Sequence, residues 1–194
     1  MLKPINIRIG DFHVFSLNGH GIENYEALAE AVLSILSDEQ TLRFIPEKRL
    51  RNIKEAQRWI YTSILNFHSG RNYVQMIASR KSGKIMGMID ILSPALVREH
   101  YQLGAYPYFL EFYLKSEVQG LNIMSALLPK MFELLENMNI ETLAAVADRS
   151  NLAARRVLSK SGFINRGVFD ITKDINYTAI GQDFNTGHKM IAQR

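Results

Sequence analysis

The chain has no cysteine. Disulfides, thiolate nucleophiles and cysteine metal sites are therefore excluded, and the absence fits a reducing compartment. No apolar run is long enough to span a membrane, and Met1 to Gly10 holds no stretch of signal-peptide character. The chain is read as cytoplasmic, with no membrane partner. Repeats, low-complexity tracts and linkers are also missing, so residues 1–194 are expected to form one domain. Neither sign of charge is in large excess. The net charge is +4 and the pI is near 9.3, but Lys and Arg are scattered, and no basic face with interleaved aromatics argues for a nucleic-acid partner. The five histidines (His13, His20, His68, His100 and His188) show no metal-ligand spacing on a helix, so no metal is expected. What remains is an ordinary globular composition, with enough chain to bury a core without staples.

Hydrophobic periodicity places the elements. Ile5 to Ile9 alternates as a first strand. Glu23 to Leu36 carries Leu28, Val32, Leu33 and Leu36 at helical spacing. Thr41 to Arg51, with Pro46, reads as a connection. Asn52 caps a helix with Ile53, Ala56, Trp59, Ile60 and Ile64 on one face, and His68-Ser69-Gly70 ends it. Tyr73 to Ser79 and Ile85 to Leu92 form a hairpin about Lys81-Ser82-Gly83-Lys84. The second of these strands is apolar on both parities and should be central. Ser93 to Ala105 reads as a loop and Tyr106 to Leu114 as a strand. Gln119 to Asn137 is expected to be the longest helix, with Met124, Leu127, Leu128, Met131, Leu134, Leu135 and Met138 inward. Ile140 to Ala147 is a strand, Asn151 to Ser161 a helix, and Phe163 to Ile171 and Tyr177 to Phe184 the last strands. Two helices, a hairpin and then alternating strands and helices describe a mixed α/β sheet.

Two motifs stand out. Gln119-Gly120-Leu121-Asn122-Ile123-Met124-Ser125 opens the helix after the Tyr106 to Leu114 strand. Asn151-x-x-Ala154-x-x-x-Leu158-x-Lys160-x-Gly162-Phe163 supplies a helix cap, a glycine stop and a return to the core. With the element order, these resemble the GNAT N-acetyltransferases, especially the branch that acetylates ribosomal-protein N-termini at alanine or serine. The resemblance implies the GNAT acyl-CoA N-acyltransferase fold, a mixed, mostly antiparallel sheet flanked by helices and splayed centrally for CoA. It also implies acetyl-CoA as co-substrate.

By that resemblance, Glu111, Phe112, Tyr113 and Leu114 border the pantetheine arm. The loop of Gln119, Gly120, Leu121, Asn122, Ile123, Met124 and Ser125 would hold the pyrophosphate on backbone N–H groups and a helix dipole. Asn151 would reach the pantetheine amide, and Arg156 and Lys160 the ribose phosphate. Asn122 and Met124 stand where the family has a glycine and a small residue. Met124 would either crowd the phosphates or turn into the core, and Pro129 is expected to permit a kink. The family's acid is a serine or tyrosine at the positions of Ala154 and Leu158, so both usual acids are absent here. Glu111 is the candidate base, unless it faces the other side of the sheet or pairs with a nearby Arg. Tyr113 is expected to point away from it. The implied reaction is direct attack of a primary amine, on a peptide N-terminus or a small molecule, upon the thioester. The alternative is an acetyltransferase-fold protein that binds acyl-CoA or a partner without catalysis. An exposed sheet edge would offer a surface for a homodimer.

Overall fold

The computed structural model describes residues 1–180. Its eight strands are β1 (Asn6–Ile9), β2 (Phe12–Ser16), β3 (Asn72–Ser79), β4 (Ile85–Leu92), β5 (Tyr108–Leu114), β6 (Thr142–Asp148), β7 (Ile164–Val168) and β8 (Lys173–Ala179). They form one sheet in the order β1-β2-β3-β4-β5-β6-β8-β7. Every neighbour pair is antiparallel except β5–β6. The α-helices are α1 (Tyr25–Leu36), α2 (Glu39–Leu42), α3 (Ile53–His68), α4 (Pro94–His100), α5 (Ile123–Glu136) and α6 (Leu152–Lys160).

Alternation along the strands divides the core. Ile77, Ile89, Ile91, Leu110 and Leu143 lie with Leu127, Leu128 and Met131 of α5. Val74, Met76, Met88 and Tyr113 lie with Val32 and Ile35 of α1 and with Ala56 and Ile60 of α3. A smaller cluster joins Leu92, Phe109 and Ala144 to Val97 of α4. The expected bounds of α3 and β4 match those observed, and β4 is the central, buried strand its composition predicts.

Several elements differ from the sequence expectation. Phe12–Ser16 is an additional strand that folds back on β1 through Gly10, at φ +53°, and joins it to β3. Within the expected loop, Ser93 caps α4 by accepting from the Leu96 N–H, and Pro94 occupies its first turn. The connection after α1 contains α2 and a 3-10 turn at Pro46–Lys48. The longest helix is α3, with 16 residues against 14 in α5. α5 starts at Ile123 because Gly120 and Asn122 are left-handed, at φ +79° and +57°. It runs as one helix through Pro129. β8 starts at Lys173, and the 181–184 part of the expected last strand lies outside the described residues. No described helix is long and apolar enough to cross a membrane.

Candidate active site

The sheet opens at its one parallel junction. β5 and β6 pair only at Tyr108↔Leu143 and Phe109↔Ala144. Beyond Phe109, β5 stays with β4 as far as Leu114, while β6 stays with β8 as far as Asp148. The strands separate, and a cavity of about 500 Å³ fills the wedge. Its walls include Leu110 to Leu114 of β5, Ala145 to Asp148 of β6, the start of α5 and one face of α6.

At the wide end lies the first turn of α5. The backbone N–H groups of residues 120 to 125 donate to no acceptor among the described residues, and the first intrahelical bond is Ala126 N–H to the Asn122 carbonyl. Asn122 provides no side-chain cap. The other five α-helices each carry one, from Asn24, Asp38, Asn52, Ser93 and Asn151. Unpartnered amides at a helix N-terminus, preceded by two left-handed residues, form a concave donor set suited to an anion. Met124 turns into the core and is 2% exposed, so its bulk lies in the α5 packing. Leu121 goes the other way, 65% exposed and off the cavity wall. The loop is tied to the strand end, because Gln119 Nε2 and Thr41 Oγ1 both donate to the Leu114 carbonyl, at 3.0 and 2.9 Å.

Glu111 faces the α1/α3 side and borders the cavity. Its Oε2 accepts from Lys48 Nζ at 2.5 Å and from the Tyr113 hydroxyl. Oε1 receives no donor among the described residues. The pairing of Glu111 with a cation is realised by Lys48, not an arginine. Tyr113 points the same way as Glu111, contrary to the sequence expectation, because residues two apart on a strand share a face.

Asp90 stands opposite Glu111 in the β4–β5 register and accepts from Asn72 Nδ2 at 3.0 and 3.1 Å. Burial, and then the neighbouring Glu111 charge, push its pKa up to about 6. Burial opposes charge on Lys48, yet Glu111 and Asp90 together hold its pKa above the ordinary value. Its ammonium also lies 5.2 Å from the centre of the Tyr113 ring. Burial and Glu111 raise the Tyr113 phenol well above its usual range, so it remains a donor. Sequence reasoning missed Lys48 and Asp90. Asp90 carries a readable signal, a lone carboxylate within an otherwise apolar strand. Lys48 reaches Glu111 across 63 residues of chain, and no local pattern announces that.

On the third wall, Asn151 caps α6 through the Ala154 N–H at 3.0 Å and borders the cavity. Arg156 and Lys160, one helical turn apart, also face it. Arg155 does not; its guanidinium donates to the Arg149 carbonyl. Gly162 ends the helix at φ +80°, and Phe163 is buried behind it. Ala154 and Leu158 offer no proton here. Among the described residues no group of His, Asp and Glu is placed to hold a metal ion.

Residues 22–164 match the family described as acetyltransferase (GNAT) domain. The chain belongs to the GNAT acetyltransferase family. This GNAT chain superposes on a GNAT-family acetyltransferase from Bacillus anthracis with TM-score 0.65 and 16% identity, covering 91% of this chain and 98% of that one. It is similar to RimL, a ribosomal L7/L12 α-N-protein acetyltransferase in complex with CoA. There the TM-score is 0.68 and the identity 16%, over 93% of this chain and 100% of that one. The ribosomal-protein-S5-alanine acetyltransferase from Vibrio fischeri gives 0.64 and 12%, over 91% and 97%. At these identities the likeness is one of fold. No curated protein matches the sequence of this GNAT chain.

Proposed function

We propose that this GNAT chain, read as one domain over residues 1–194, is an acetyl-CoA-dependent N-acetyltransferase acting by direct attack. Its acceptor is a primary amine, on a peptide N-terminus or a small molecule. The observation that carries the reading is the wedge between β5 and β6, which leads to the unpartnered amides of residues 120 to 125. A thioester cofactor with a diphosphate needs both a narrow slot for its arm and a donor-rich end for its charge. The donor set fits such an anion: the Met124 side chain is packed in the core, and Arg156 and Lys160 add positive charge on the adjacent wall. Neighbours solved with CoA, such as RimL, are consistent with that occupant.

When bound, acetyl-CoA supplies an acetyl group activated as a thioester. The chain supplies position and proton handling. Lys48 and Tyr113 fix Oε2 of Glu111, leaving Oε1 to accept a proton from the amine. A carboxylate held at one oxygen is oriented without being wholly spent. Gln119 and Thr41 hold the end of β5 against the cofactor loop.

The test is calorimetric titration of the full chain with acetyl-CoA and CoA, followed by thiol-release assays over a panel of primary amines. Binding on the order of micromolar is expected; no binding at millimolar cofactor would defeat the reading. Glu111→Gln should lower kcat by about 10²-fold with the best amine and leave acetyl-CoA affinity nearly intact. Unchanged turnover would remove Glu111 from the mechanism.

A further inference from the structure

The usual acid positions hold Ala154 and Leu158, so a hydroxyl near the departing sulfur must come from elsewhere if the chain supplies one. Four hydroxyl side chains border the cavity: Thr41, Tyr101, Tyr113 and Ser125. Thr41 donates to the Leu114 carbonyl and Tyr113 to Glu111. Ser125 sits in the first turn of α5, at the wide, anion-binding end. Tyr101 is left. Its hydroxyl has no hydrogen-bond partner among the described residues, and its ring borders the cavity against Phe109, at the narrow end of the wedge.

Its placement is well determined. The Tyr101 N–H donates to the Val97 carbonyl at 2.9 Å, closing α4. The ring stacks on Phe109, with centroids 5.3 Å apart and planes at 22°, and meets Phe169 edge-on at 5.3 Å. Phe109 is the last β5 residue paired with β6. The phenol is thus pinned at the vertex where the strands part, within the field of Glu111 and Lys48. Burial, then Glu111, raise its pKa above the ordinary phenol value, so the hydroxyl stays protonated at neutral pH.

We propose that Tyr101 is a catalytic residue, its hydroxyl donating a hydrogen bond to the thioester sulfur as the carbon–sulfur bond breaks. This rests on the acetyl-transfer reading above. The amine nitrogen forms a bond to the acetyl carbon and gives its proton to Glu111. The electron pair of the carbon–sulfur bond goes to sulfur, which leaves as a thiolate. A thiol of pKa about 8.5 is a weaker base, as thiolate, than a phenolate of pKa about 10, so full transfer from Tyr101 runs uphill. Tyr101 keeps its proton and stabilises the developing charge. The thiolate then takes its proton from solvent, which also receives the one held by Glu111.

Tyr101→Phe keeps the stacked ring and removes only the hydroxyl. The full chain and this variant are titrated calorimetrically with CoA and with desulfo-CoA, near the thiol's ordinary pKa of about 8.5. The wild type should prefer CoA by roughly tenfold, as for a hydrogen bond to a charged group, and the variant should bind the two alike. Equal discrimination in both proteins, or none in the wild type, would overturn the proposal. If the wild type binds neither compound, the acetyl-transfer reading itself fails. In turnover, the variant should lose about 10- to 100-fold in kcat with little change in KM for acetyl-CoA. An unchanged kcat would equally overturn the assignment.

Discussion

The two ends of the cleft solve opposite problems. At the α5 end, six consecutive backbone donors, residues 120 to 125, have no acceptor among the described residues, and the helix has no cap. At the Glu111 end, Oε2 takes two donors, a second carboxylate stands across the ladder, and one ammonium serves both. The first end is incomplete until an anion arrives. The second is assembled in advance. A binding region can leave donors open because water satisfies them in the meantime. A buried charge cluster must be matched within the protein, because desolvation penalises any unpaired member.

The largest expected effect relieves a charge at the assembled end. Asp90 is held at about 6, above its ordinary value of 3.8. The native state therefore binds the proton more tightly than the unfolded chain does. Stability from this group is fullest below 3.8 and is lost as pH rises through 6. Asp90→Asn removes that loss. Relative to wild type, the variant should gain stability as pH rises from 3.8 to about 6, by up to about 3 kcal/mol in all, and hold that gain at neutral pH. Urea unfolding at a series of pH values measures this. Parallel curves would show that Asp90 is an ordinary carboxylate.

Both ends were legible to different degrees. The loop and the α6 cap follow from local signals, a turn of Gly and Asn before a helix and an Asn cap, whereas the wedge was implied only by the resemblance. The fold of α3 and β4 could be read because caps, turn residues and periodicity agree there. β2 was missed although Phe12, Val14 and the Gly10 turn carry its pattern; the strand is only 5 residues long. α4 was missed although Ser93-Pro94 is a start signal. The Tyr113 error was one of parity and needed no structure to correct. The Lys48–Glu111 pair is different in kind. It joins a 3-10 turn to a strand, and only the tertiary fold brings them together.

A smaller effect sharpens the contrast at the open end. Asn122→Asp puts a negative charge where the helix dipole is positive and the anion is expected. The apo protein should gain a few tenths of a kcal/mol from the dipole, while acetyl-CoA binding should weaken about tenfold through repulsion at close range. Stability and affinity would then move in opposite directions. Calorimetric titration beside thermal melts reads both. Equal or tighter binding would mean that the phosphates lie elsewhere.

The smallest effect concerns a helix whose end is not part of the cleft. Asn52 caps α3 by accepting from the Glu55 N–H at 3.0 Å, and Glu55 returns the bond by accepting from the Arg51 N–H at 2.7 Å. This first turn is satisfied by the chain itself. Asn52→Ala should cost about 1 kcal/mol of stability and leave acetyl-CoA affinity unchanged, because none of these groups borders the cavity. The two asparagines, Asn52 and Asn122, stand at equivalent helix positions, yet the first should act on folding and the second on binding. If Asn52→Ala weakened the cofactor as much as Asn122→Asp, the α5 terminus would have no special role, and cofactor affinity would simply follow global stability.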